Sequence, residues 1–160
     1  MLKRSTKKKE DKFKMKLSEQ IKDSQTYSKI AADCVSLMED QVNQKKGLGG
    51  MLFKTLYKGI NAIGSDYAYN AIVNLIPAVS RAIDPLWEDG VNAGDPVDYL
   101  KKNQSLTADT ILSVTDIKIK NASNKVVKVS YEKIRGSLKE EIETAVPRLA
   151  EILQKNATVS

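Results

Sequence analysis

Few residues in this chain are equipped to do chemistry, and their types set narrow limits. There is no histidine among the 160 residues. Imidazole general acid–base catalysis, a Ser-His-Asp or Cys-His unit, and the usual zinc, copper and non-haem iron ligand sets are therefore excluded. The single cysteine, Cys34, lies on an apolar helical stripe between Ile30 and Met38. Free cysteine is among the most buried residue types, and the neighbouring Asp33 disfavours a thiolate. Cys34 is expected to be a small core residue rather than a nucleophile. One cysteine cannot form a disulfide within the chain, which points to a reducing compartment and a cytoplasmic protein.

The acidic residues Asp84, Glu88, Asp89, Asp95 and Asp98 give residues 82–100 a net charge of −5. Asp84 and Glu88 share a helix face at i, i+4. They are the candidate ligands for Mg²⁺ or Ca²⁺, or an acid and base pair. Local roles compete with that chemistry. Asp84 precedes Pro85, Asp89-Gly90 is turn chemistry, and Asp95 and Asp98 suit a helix start. The structural roles are favoured, and no metal or other cofactor is expected. Gly47-Leu-Gly-Gly50 with Lys54-Thr55 evokes a phosphate loop, but Phe53 replaces the glycine before the lysine and no strand precedes it. A helix break with a C-cap is the expected reading. Tyr57, Tyr67, Tyr69, Tyr99, Tyr131 and Trp87 could line a pocket for an apolar ligand. Their more frequent place is the core edge, ring buried and polar tip wet.

The strongest functional signal is charge. The net charge is +6 and the pI about 9.3. Residues 1–16 hold eight cations and two anions, so they account for the whole excess, and the remaining 144 residues are neutral. Lys7, Lys8, Lys9, Lys12, Lys14 and Lys16 are the candidate contacts to an anionic partner. That partner would be a nucleic acid, an anionic membrane surface or an acidic protein. With so few large apolar groups, residues 1–16 are expected to be a disordered basic arm. The alternative is a solvated arm that only aids solubility. The −5 segment also offers the arm a place to dock on its own body or a neighbour's.

The elements that must position these residues are helical. Ile30, Cys34, Leu37, Met38 and Val42 form one stripe. Leu52, Leu56, Ile60 and Ile63 form a second, broken by Gly64 and Ser65. Ile72, Leu75, Ile76, Val79, Ile83 and Leu86 form a third, with Pro77 expected to kink it. Gly90 to Gly94 is expected to be a loop. Asp95 as N-cap, Pro96 at N1 and Asp98 at N3 predict a short helix next. Ala108, Ile111, Leu112, Thr115 and Ile119 support another. Residues 123–135 fit strand or helix. Helix is preferred, because no second strand exists to pair with. Ser137 and Glu140 then read as a capping box after Gly136, opening a last helix kinked at Pro147. The longest uncharged run, Tyr67 to Ser80, is 14 residues, too short to span a membrane. The expected fold is one all-α bundle of about six or seven amphipathic helices over 17–156, between the arm 1–16 and a tail 157–160. Its apolar surface closes within one chain or is shared across a homo-oligomer.

Several strings also form a recognisable set. They include Ile30-Ala-Ala-Asp33-Cys34-Val-Ser-Leu-Met-Glu-Asp40, Lys46-Gly-Leu-Gly-Gly50, Leu75-Ile-Pro77, Asp84-Pro85, Asp98-Tyr-Leu100, Ser113-Val-Thr-Asp116, Tyr131-Glu-Lys-Ile-Arg135 and Ala145-Val-Pro147. Over roughly residues 17–155 the chain resembles a family of small, uncharacterised helical proteins of unknown function, found mainly in bacterial genomes. That resemblance implies an all-helical domain. It brings no activity and assigns no site residue. The leading expectation is thus a non-catalytic binding or adaptor module whose arm meets an anionic partner. One alternative is a carrier of an apolar ligand between the helices at 50–63 and 66–88. The other is an enzyme using carboxylates and Mg²⁺ at Asp84 and Glu88.

Overall fold

The computed structural model describes residues 16–44 and 47–157. Among these are seven helices and no strand. They are α1 (Leu17–Gln20), α2 (Ser24–Gln44), α3 (Gly47–Ile63), α4 (Tyr67–Asn92), α5 (Pro96–Lys102), α6 (Gln104–Lys120) and α7 (Lys125–Asn156). The all-α expectation holds, and residues 125–135 are helical.

Capping chemistry explains where two of these helices begin. The Asp95 carboxylate accepts from the backbone N–H groups of Val97 at 3.0 Å and Asp98 at 3.2 Å, and Pro96 follows at N1. Two donors that the first turn would leave unpaired are thus satisfied. Asn124 does the same for α7, accepting from Val126 at 2.9 Å and Val127 at 3.3 Å.

Three sequence expectations fail. The capping box at Ser137 does not form, because α7 runs unbroken through Gly136 for 32 residues. A mid-helix glycine costs about 1 kcal/mol, but the inward stripe Val127, Ile134, Leu138, Ile142 and Val146 continues across it in helical register. Burial of that stripe outweighs the glycine. Asp89 and Gly90 are helical rather than a turn, and the loop shrinks to residues 93–95, with Gly94 at φ 103°. Gly90 is there for closeness: a Cβ on it would lie 2.6 Å from the Cα of Pro96, so α5 crosses α4 at bare backbone. Gly47 to Gly50 begin α3 rather than cap α2, and residues 45–46 between them lie outside the described set.

The bundle is a frame around a gap. α4 and α7, the two longest helices, make no close backbone contact among the described residues. α2, α5 and α6 each pack on both of them and hold them apart. α3 touches α2, α4 and α7 and is the least closely packed of the long helices. Pro77 and Pro85 sit inside α4 and Pro147 inside α7. The tiny α1 closes one end. Leu17 and Ile21, on either side of its turn, are wholly buried. The Asp84 carboxylate of α4 accepts from the Ser18 backbone N–H at 2.8 Å and the Ser18 hydroxyl at 2.5 Å. α1 is therefore fastened to a helix 66 residues further along the chain.

Candidate functional site

The gap between α4 and α7 is a cavity of about 370 Å³. Its size falls in the range of sites that enclose one small organic molecule, roughly 300–1,000 Å³. Four stripes line it: Ile30, Leu37 and Met38 from α2, Ile72, Ile76 and Val79 from α4, Ile111 from α6, and Leu138, Ile142 and Leu149 from α7. α3 adds Tyr57 and Ile60. The wall is almost wholly carbon. The pair α3 and α4, the helices at 50–63 and 66–88, supplies part of this wall, and α2, α6 and α7, with Ile21, supply the rest among the described residues.

The two ends differ in exposure. Along α2, Ile30 is 1% exposed, Leu37 5% and Met38 36%. On α4, Ile83 is wholly buried, while Ile72 near the helix start is half-buried. On α7, Leu153 is buried while Leu138 and Ile134 are half-buried. The end capped by Ile21 is shut, and the end at Met38, Tyr57 and Leu138 is a mouth.

Polar groups on this wall are few. Gln41 of α2 and Glu141 of α7 face each other near the mouth, the Gln41 side-chain amide donating to the Glu141 backbone carbonyl at 3.4 Å. Glu141 is only 9% exposed, an uncommon position for a glutamate. It sits in the Leu138–Ile142–Ala145 stripe. A charged residue at an inward helical position is a signal that the sequence carries but that charge counting and motif spacing do not pick out. Among the described residues the other polar groups on the wall are Ser80, Thr115, Cys34 and Tyr57. Ser80 spends its hydroxyl on the carbonyl of Pro77 at 2.9 Å.

Cys34 behaves as expected. It packs against the core, and burial together with the Asp33 charge pushes its thiol up to about 12. A thiol that stays protonated at neutral pH is a poor nucleophile. Here it is a piece of cavity wall.

Outside the mouth, α6 and α7 are braced by a polar cluster. Arg135 donates from Nε and Nη2 to the two Asp116 oxygens at 2.8 and 3.0 Å. The Tyr131 hydroxyl donates to Asp116 and lies 2.9 Å from the Thr115 hydroxyl. The Arg135 hydrogen bonds hold the Asp116 carboxyl below its ordinary range despite some desolvation. Burial first, then the Asp116 partner, pushes the Tyr131 phenol up to about 12. Such bidentate pairing fixes orientation as well as adding energy. Since Thr115 is also cavity wall, the brace sets the position of the mouth.

The other sequence candidates fare differently. Asp84 accepts two hydrogen bonds from Ser18, which gives it a structural role at α1. Among the described residues, no group of three or more Cys, Asp or Glu could hold a metal ion. Among the described aromatic side chains, Tyr57 alone reaches the cavity wall; Trp87 is 2% exposed and belongs to the core. Lys7, Lys8, Lys9, Lys12 and Lys14 lie outside the described residues, and Lys16 is exposed directly before α1. No described helix is long and apolar enough to cross a membrane. No curated protein and no solved structure gives a significant match. A family model described as a family of unknown function, DUF6918, matches residues 17–157, and the chain belongs to that family.

Proposed function

We propose that the protein binds one small apolar molecule in the central cavity and acts as a carrier or sequestering protein. One observation carries the reading: a carbon-walled cavity of about 370 Å³ with one shut end and one open end. A packed core of this size normally leaves few voids larger than a water molecule. Keeping such a volume empty forfeits dispersion contacts along its whole lining. A bound apolar ligand restores them. The protected thiol of Cys34 and the buried Ser80 hydroxyl fit a binding wall better than a reaction centre.

The test is a titration with N-phenyl-1-naphthylamine, a neutral fluorophore that brightens in apolar surroundings. Saturable one-to-one enhancement in the micromolar range supports the reading. Ala145→Phe places a ring in the cavity and is expected to abolish that enhancement while the helical circular dichroism persists. A wild-type protein that leaves the fluorophore dark overturns the proposal.

A second reading rests on charge. The body is neutral and the +6 lies in residues 1–16, so Lys7, Lys8, Lys9, Lys12, Lys14 and Lys16 are proposed to touch an anionic partner of a cytoplasmic carrier. Retention on an immobilised polyanion is expected to fall steeply with salt and to vanish when residues 1–16 are removed. Retention that survives the deletion overturns it.

A further inference from the structure

The neutral body hides a polarity that runs along the cavity. Residues 41–65 hold four lysines and no acid, and so do residues 117–131. Both stretches stand at the open end. α3 brings Tyr57 and Ile60 to the wall, and carries Lys54 and Lys58. The turn from α6 to α7 lies beyond Thr115 and Ile134, where the wall ends. Acid is gathered at the other end. Residues 82–100, with a net charge of −5, include the Asp84 that fastens α1 over the shut end.

Exposed carbon is concentrated at the same turn as the lysines. Ile117 is 63% exposed, Val126 53% and Val129 49%. Single exposed aliphatics are ordinary on a protein surface. Here three fall within one turn between helices, interleaved with Lys118, Lys120, Lys125 and Lys128. Lys118, Lys120 and Lys125 are exposed as well. The brace of Arg135 and Tyr131 on Asp116 ties the end of α6 to the start of α7, so it holds this turn in place relative to the mouth.

Lysines beside aliphatic carbon match the boundary of an anionic bilayer, with phosphates for the ammonium groups and acyl carbon for the side chains. A single-stranded nucleic acid would call for aromatic faces on which to stack, and the three exposed residues are aliphatic. We infer that the α6–α7 turn, together with Lys54 and Lys58 of α3, docks the cavity mouth on an anionic lipid bilayer. An apolar occupant then passes between cavity and bilayer with little exposure to water. The docking surface rests on charge and exposure alone; its use for loading rests on the apolar-ligand reading.

Sedimentation of the full-length protein with lipid vesicles tests it. The protein is expected to bind phosphatidylcholine vesicles carrying about 30% phosphatidylglycerol, and to bind phosphatidylcholine alone at least about tenfold more weakly. Lys120→Glu with Lys125→Glu is expected to weaken anionic binding at least about tenfold. Lys8→Glu with Lys9→Glu makes the same charge change within residues 1–16 and is expected to weaken it less than about threefold. Ile117→Ser with Val129→Ser keeps every charge and is expected to weaken it at least about fivefold, a loss that charge attraction alone does not produce. All four altered positions in the turn are exposed, so helical circular dichroism is expected to be unchanged. Absence of binding to anionic vesicles, equal binding to neutral ones, or a larger loss from the Lys8 and Lys9 pair than from the turn pair overturns the proposal. So does capture of a DNA duplex by the turn lysines in place of vesicles. The naphthylamine titration contains no lipid, so failed docking leaves the carrier reading standing, and a dark fluorophore leaves the docking standing.

Discussion

The shut end and the mouth of the cavity are built from the same helices, α2, α4 and α7, yet they obey different rules. At the shut end Ile21, Ile30, Ile83 and Leu153 are large aliphatic groups, nearly or fully enclosed, and α1 is fastened over them through Asp84 and Ser18. At the mouth the inward residues are mixed, partly exposed, and braced from outside by ions. The same three helices therefore support a closed core over one half of their length and an open site over the other. What changes along them is the chemistry of the inward positions, turn by turn. The lesson is that stability and binding can be assigned to opposite ends of one helix.

That division is open to measurement. Ile83→Ala at the shut end is expected to cost about 3 kcal/mol of unfolding free energy, whereas Met38→Ala at the rim is expected to cost less than about 1 kcal/mol. Urea denaturation of both variants decides it; equal losses would erase the contrast. Asp84→Ala leaves the Ser18 N–H and hydroxyl without their acceptor and is expected to cost about 2 kcal/mol. Hydrogen exchange at residues 17–21 should accelerate before that of α4 or α7 changes. If exchange rises evenly everywhere, α1 is not a separate fastening.

The brace at the mouth titrates in a definable direction. The Asp116 carboxyl is held below its ordinary value of 3.8, so its stabilising effect is present above that value and is lost as the pH falls through the lower folded value. Tyr131 is raised from 10 to about 12, so the neutral phenol's contribution is lost as the pH climbs from 10 toward 12. Asp116 is 41% exposed, and screening keeps the pair modest. Asp116→Asn is expected to cost about 1 kcal/mol at neutral pH. The gap in melting temperature between variant and wild type should close on acidification below pH 4, and a constant gap refutes the assignment. The smallest effect belongs to Gly136, which is exposed and where an added Cβ meets nothing within 4 Å. Gly136→Ala is expected to stabilise α7 by about 0.7 kcal/mol, measurable as a raised urea midpoint.

Local chemistry was legible in the sequence and long-range chemistry was not. The Asp95-Pro96-Val97-Asp98 start and the α4 stripe follow from spacing alone. The run of α7 through Gly136 is hidden in the sequence, because a good capping signal at Ser137 competes with a periodicity that only tertiary burial rewards. The Asp84 contact to α1 is not legible locally, because its partner, Ser18, is 66 residues away. The cavity left no direct trace, since it depends on α4 and α7 being kept apart by α2, α5 and α6. Glu141 alone hinted at it: a carboxylate where the helical stripe called for carbon.

The separation of α4 and α7 also fixes how the molecule answers compression. Void volume is eliminated when a protein unfolds, so a frame held open around a hole has a more negative unfolding volume than a filled one. For ordinary domains that volume lies at about −20 to −100 mL/mol. This protein is expected toward the larger magnitude, unfolding at comparatively low hydrostatic pressure when empty. An occupant filling the gap, or the ring of Ala145→Phe, is expected to shift the midpoint upward, which makes pressure a label-free gauge of whether the space is full.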